Sequence, residues 1–232
     1  MINQKFAVIG VGNYGSTIAR RLAEKGAEVF CFDSNEDKIE NIKDDVAQAV
    51  AIDCTDVKAM ISQGIKDIDV AVVAIGENFE ATVLTSANLL DLGIKRIIAR
   101  ASGPNQKLIL TKIGIEEILS PEDEVAFVVR EKLLNPSIIS FLQLPDDYEI
   151  AEVIAPKGVV GRSISDIDFR NNYELTLVTV KRVFDIKKDG SLVEETHVIG
   201  VPSGETVLEE RDTLVIYGTK KHVERFLEIN QS

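Results

Sequence analysis

The chain has 232 residues and a formal net charge of −12, long enough for two modest domains and of the wrong sign to hold nucleic-acid phosphates or an anionic membrane through its overall field. Apolar residues make up 45% of it and charged residues 28%, which suits a packed core under a water-facing surface. No apolar run approaches the ~20 residues a membrane-spanning helix needs, and Met1-Ile2-Asn3-Gln4-Lys5 leads straight into an apolar strand without the pattern of a signal peptide. Any role at a membrane is therefore expected to run through a partner.

The first part alternates short β-like runs with helical periodicity. Phe6 to Ile9 reads as a strand, Ser16 to Lys25 as a helix stopped by Gly26, and Val29 to Phe32 as a second strand. A helix over Asn35 to Lys43, a strand over Ala47 to Ile52 and a helix over Asp56 to Gln63 follow. Val70 to Ile75 is the most apolar strand, as expected at the centre of a parallel sheet. Then come a helix over Phe79 to Leu92, a strand over Ile97 to Ala101, a helix over Asn105 to Ile113 and a short strand over Glu117 to Leu119. Such alternation implies right-handed βαβ units and a doubly wound α/β sheet of Rossmann type.

Ser120-Pro121-Glu122-Asp123 opens a further helix to about Leu134, broken by Asn135-Pro136-Ser137. Beyond Phe141 the chain turns β-rich, with strands over Ile150 to Ile154, Leu175 to Phe184, Glu194 to Ile199 and Thr213 to Tyr217, a hairpin signal at Lys188-Asp189-Gly190, a loop at Pro202-Ser203-Gly204-Glu205, and a closing helix over Lys220 to Ile229. The sequence thus predicts a domain over 1–140 and a smaller α+β domain over 141–232. Cys31 and Cys54 lie in apolar surroundings without Cys-x-x-Cys spacing, and read as reduced core thiols of a cytosolic protein.

Gly10-Val11-Gly12-Asn13-Tyr14-Gly15 matches Gly-x-Gly-x-x-Gly, and it stands between a strand and a helix, the context a dinucleotide loop requires. Gly10 permits a tight turn, Gly12 lets backbone approach a phosphate, and Gly15 lets the helix pack on the strand. The helix N-terminus then offers free N–H groups to an anion. Asp33 ends the second strand, at the spacing expected of the acid that holds ribose hydroxyls, and its charge disfavours a 2′-phosphate and so NADP. Asp53-Cys54-Thr55 and Gly76-Glu77-Asn78 follow the third and fourth strands, where an open α/β sheet binds ligands. Thr55 and Asn78 serve equally well as helix caps. Arg100 closes the fifth strand, facing either a phosphate or a surface carboxylate. Glu122 alone reads as a first-turn acid that favours the helix dipole.

A dehydrogenase needs a proton donor or acceptor beside the nicotinamide. The only histidines, His197 and His222, fall in the C-terminal part, and Tyr217 and Lys221 match Tyr-x-x-x-Lys where Gly218 interrupts the run. No catalytic residue is assigned and the chain is read as no enzyme, with a small NAD-dependent oxidoreductase as the alternative.

The runs Phe6 to Gly15, Val29 to Asp33, Val72 to Glu77 and Ile118 to Glu122, followed by Pro202 to Leu208 and Arg211 to Gly218, closely resemble the peripheral KtrA/TrkA subunits of bacterial potassium uptake systems, with the KtrA-like members as the better match. These are built from RCK (regulator of K⁺ conductance) N- and C-domains, and the resemblance covers almost the whole chain. It implies a cytoplasmic homo-oligomer, dimers assembled into an octameric ring, docked beneath a membrane-embedded K⁺ pore subunit. It implies ATP and ADP as ligands of the N-domain, or NAD and NADH in TrkA-like members, whose binding reshapes dimer and ring to gate the pore. It places Glu122 at a dimer interface, where it helps hold Mg²⁺ or another cation near the phosphates. Asn13 stands where KtrA-like chains often carry an arginine that reaches the terminal phosphate. The resemblance further implies a cyclic di-AMP site between paired C-domains, near Ile164, Ile167, Arg170 and Pro202, with Glu174 where relatives often have glycine.

Overall fold

The computed structural model describes residues 4–188 and 191–231. Asp189 and Gly190, the predicted hairpin turn, and Met1 to Asn3 lie outside the described residues. The chain packs as two units, Met1–Ala126 and Phe127–Ser232.

The first unit is a six-stranded parallel sheet. Its strands are β1 (Lys5–Ile9), β2 (Glu28–Asp33), β3 (Gln48–Ala51), β4 (Val70–Val73), β5 (Arg96–Arg100) and β6 (Glu117–Leu119), in the spatial order β3-β2-β1-β4-β5-β6. This is the Rossmann order, and its direction reverses between β1 and β4. The helices are α1 (Asn13–Glu24), α2 (Glu36–Glu40), α3 (Val57–Ser62), α4 (Phe79–Asp91) and α5 (Pro104–Lys112), with α6 (Pro121–Leu134) leading onward.

Strand periodicity explains the layering. Ala7, Ile9, Phe32, Ala71 and Val73 point to one face, where Met60 of α3, Leu89 of α4 and Leu110 of α5 cover them. Val8, Val29, Cys31 and Val72 point to the other, against Ala19 of α1 and Ile39 of α2. Alternate residues of one strand thus feed two separate cores. All four residues of β4 are buried, as its unbroken apolar run predicts.

The elements predicted for this unit are all present, with shifted ends. The largest differences are three residues each: α1 starts at Asn13 rather than Ser16, and α2 stops at Glu40 rather than Lys43. The guanidinium of Arg20 holds the Asn41 carbonyl at 2.9 Å, and the chain must turn back so that Ala47 can bond to Val29 of β2 at 3.0 Å.

The second unit holds an antiparallel sheet ordered β10-β9-β11-β8-β7, from β7 (Ile138–Gln143), β8 (Tyr148–Ile154), β9 (Thr176–Lys188), β10 (Ser191–Val198) and β11 (Thr213–Thr219). Strand β7 is missed by the sequence reading because most of it is exposed, so alternation is weak. The short helices α7 (Ile164–Ile167) and α8 (Phe169–Tyr173) are missed because four or five residues carry no measurable period. Helix α9 (Lys220–Asn230) closes the unit, burying Val223, Phe226 and Leu227 in its core. Packing divides the chain inside α6, whereas the sequence pattern changes only at 140/141, after that helix has ended.

A buried ion pair braces the second unit. Asp212 is fully buried and accepts from Arg182 Nε at 2.9 Å, from Arg182 Nη2 at 2.7 Å and from the Glu209 N–H at 2.8 Å. It ties β9 to the loop that enters β11. Asp212→Ala removes a buried carboxylate that accepts three bonds and leaves Arg182 with only Glu209 and the Val207 carbonyl, so it is expected to lower unfolding free energy by about 2 kcal/mol, measured by urea denaturation.

Candidate functional site

The glycine loop is built by close packing. A Cβ on Gly15 would lie 1.9 Å from the Gly10 carbonyl oxygen, so α1 can approach β1 only with glycine there. Gly10 has φ +88°, a left-handed conformation in which a side chain is strained. Gly12 is different: no heavy atom lies within 4 Å of its Cβ position. The space above it is open. Helix α1 has no side-chain cap and no acidic residue in its first turn, which leaves its N–H groups for an anion.

Asp33 is 8% exposed and fixes this loop from the end of β2. Its Oδ2 accepts from the Val11 N–H at 2.8 Å and its Oδ1 from the Asn35 N–H at 2.9 Å. Lys38 Nζ stands 3.9 Å from Oδ2. Asp53 Oδ1 accepts from the Thr55 N–H at 2.9 Å and the Thr55 hydroxyl at 2.8 Å; the amide first, then the hydroxyl, hold its carboxyl below the usual range. Thr55 does not cap the next helix; Asp56 does. Asn78 does cap α4, accepting from the Ala81 N–H at 3.0 Å.

These strand ends border one cleft of about 820 Å³. Its lining includes Gly10, Gly12, Asn13, Tyr14, Asp33, Asp53, Cys54, Thr55, Gly76, Glu77 and Arg100, together with apolar Ile52, Ala81 and Leu84. Gly15 does not line it, since it is spent on the helix–strand contact. The polar side can take ribose and phosphate, and the apolar side a planar base.

Arg100 stands beside the first turn of α1. Its guanidinium lies 5.4 Å from the centre of the Tyr14 ring and pairs with Glu122. A Cβ on Gly76 would lie 2.8 Å from Arg100 Nη1. Burial, then Glu124, push the Tyr14 hydroxyl up. The Glu122 backbone N–H, then Arg100, hold the Glu122 carboxyl down. Among the described residues no cluster of three or more His, Cys, Asp or Glu side chains could hold a metal within one chain. Sequence reasoning finds both Arg100 and Glu122 but not their pairing, and it misses Lys38, which nothing in the sequence separates from a solvated helix lysine.

In the second unit Ile167 is fully buried and Ile164 packs against the same core, while Arg170 is exposed and Pro202 half-buried. Glu174 has φ +57°, the conformation glycine adopts without strain. His197 and His222 belong to this unit.

The TrkA-N domain matches residues 6–121 and the TrkA-C domain residues 149–231. The Ktr system potassium uptake protein A of Bacillus subtilis (strain 168) is 32% identical over 224 residues, covering 97% of this chain and 96% of that one. The chain belongs to the KtrA/TrkA family. Ktr system potassium uptake protein C of the same organism is 30% identical over 225 residues, again with 97% and 96% covered. Among solved structures, the GsuK channel bound to NAD superposes with a TM-score of 0.61 at 18% identity, over 99% of this chain. That likeness is one of fold, and this chain spans 39% of the solved chain's length. No described helix of this family member is long and apolar enough to cross a membrane.

Cys31 and Cys54 are buried and free, and burial pushes each thiol up to about 12. The folded state holds these protons past the ordinary thiol range near 9. Their contribution to stability is therefore intact below about pH 8.5 and is lost as pH rises towards 12, by roughly 1.4 kcal/mol per unit for each thiol. Urea midpoints are expected to fall between pH 8 and pH 10, with a shallower fall in Cys54→Ala.

Proposed function

We propose that this chain is the nucleotide-sensing regulatory subunit of a potassium uptake system. The observation that carries the reading is the open space over Gly12, faced by the uncapped N-terminus of α1 and bordered by Asp33. An adenosine nucleotide fits this arrangement: phosphates over the glycine loop, ribose at Asp33, base against the apolar wall. ATP and ADP, or NAD and NADH, share that half of the molecule. The GsuK channel of the same fold is an NAD-bound protein, and the two Bacillus relatives are potassium uptake proteins.

In this reading residues 1–140 form the sensing domain and 141–232 the second domain. Copies pair and assemble into an octameric ring on the cytoplasmic face of a membrane-embedded K⁺ pore subunit. Glu122 and Mg²⁺, or another divalent cation, meet the phosphates at the pair interface. Cyclic di-AMP is the candidate ligand between second domains near Ile164, Arg170 and Pro202; Ile167, fully buried, shapes that edge from within the core. Gating requires that the nucleotides differ in affinity for the two ring shapes, because a ligand that binds both equally shifts nothing.

Calorimetry against ATP, ADP, NAD⁺ and NADH tests the sensing. At least one is expected to bind well below millimolar, and Asp33→Ala is expected to weaken it tenfold or more, about 1.4 kcal/mol. Absence of binding by all four refutes the reading. Potassium flux through a Ktr-type pore reconstituted with this subunit is expected to change between ATP and ADP; equal flux in both, and without nucleotide, reduces the chain to an adaptor.

A further inference from the structure

Arg100 reaches three separate parts of the first unit. Tyr14, under its guanidinium, is the second residue of α1, and Arg100 lines the same cleft as Gly12 and Asn13 at the start of that helix. Gly76, from the loop after β4, leaves the space that Nη1 fills. Glu122, from the first turn of α6, takes Nη2. Nε is buried and has no hydrogen-bond partner among the described residues. Arg100 is 20% exposed at its side chain and Glu122 54%, so the guanidinium is held in the wall while the carboxylate lies at the rim.

We infer that Glu122 is an internal rival of the ligand's phosphate for Arg100, so that its carboxylate holds down the affinity for phosphorylated adenosine compounds and leaves that for the bare nucleoside unchanged. The inference rests on the reading that the cleft binds an adenosine nucleotide, and adds a contest not contained in it. A phosphate arriving over Gly12 meets a cation already engaged. It must replace the carboxylate, and it does so because phosphate offers more acceptor oxygens and a larger charge to a forked donor. A ligand without phosphate leaves the pair intact and gains nothing from Arg100. The exchange has a second half: by reciprocity, a ligand weakened by the Arg100–Glu122 pair weakens the pair by the same factor when it binds. Occupancy of the cleft thereby releases the first turn of α6, the helix whose continuation enters the second unit. The carboxylate set free is the same group that the proposed cation site requires, so phosphate binding would make Glu122 available to it.

The contest has a sign that separates it from a purely supportive Glu122. With EDTA present, so that divalent cations play no part, Glu122→Gln is expected to bind ADP about twofold to fivefold more tightly than the unaltered protein, the range for a partly exposed charged pair. Adenosine affinity is expected to be unchanged. In an Arg100→Gln background ADP binding is weakened and the effect of Glu122→Gln disappears, as a double-mutant cycle requires of a direct contest. ADP affinity that is unchanged or lower in Glu122→Gln overturns the inference while the nucleotide reading stands. Equal tightening of ADP and adenosine also overturns it, since the gain would then come from elsewhere in the cleft. Failure of the unaltered protein to bind ADP, ATP or NAD⁺ removes the underlying reading, and the inference with it.

Discussion

The contact of Gly15 with the Gly10 carbonyl governs the first unit. With 1.9 Å available where a Cβ would stand, only glycine lets α1 lie against the sheet, and only that placement directs the α1 N-terminus at the mouth between β1 and β4. Asp33 then secures the same turn from the neighbouring strand through the Val11 N–H. In the proposed reading its carboxylate has two duties, holding the loop and facing the ribose position. Loss of Asp33 therefore disturbs the shape of the site as well as its chemistry.

Around that contact the cleft divides by chemistry. Backbone N–H groups and Arg100 supply positive character, and Ile52, Ala81 and Leu84 add apolar wall. This local arrangement answers the difficulty set by a net charge of −12. Fixed dipoles and one wall-mounted cation act within a few ångströms, whereas the field of scattered surface carboxylates is screened over about 8–10 Å of physiological salt. An acidic protein can thus keep an anion site, provided the donors are preorganised.

Much of this was legible in the sequence because the first unit is made of repeated, locally encoded pieces. The glycine loop, the acid ending β2 and the unbroken apolar run of β4 each announce their position through spacing. The second unit is less legible. Strand β7 is largely exposed and α7 and α8 are each under two turns, so neither period emerges. Pairings over long separations were also hidden: Arg100 with Glu122 and Arg182 with Asp212 are 22 and 30 residues apart, and only the topology brings them together. The capping roles were decided by geometry that composition does not carry. Asp56 rather than Thr55 caps α3 because the Thr55 hydroxyl is turned back onto Asp53.

The bare start of α1, with Gly12 in the cap position and no acid in the turn that follows, has a consequence for the lifetime of the molecule. Most helices satisfy those amides with their own side chains and owe nothing to a guest. If the proposed nucleotide takes that place, an occupied molecule is the more durable one, by about 2.7 kcal/mol when the guest is present at a hundred times its dissociation constant. On the proposed nucleotide reading, a molecule starved of its guest opens more often and meets proteases sooner, which ties its abundance to metabolic supply.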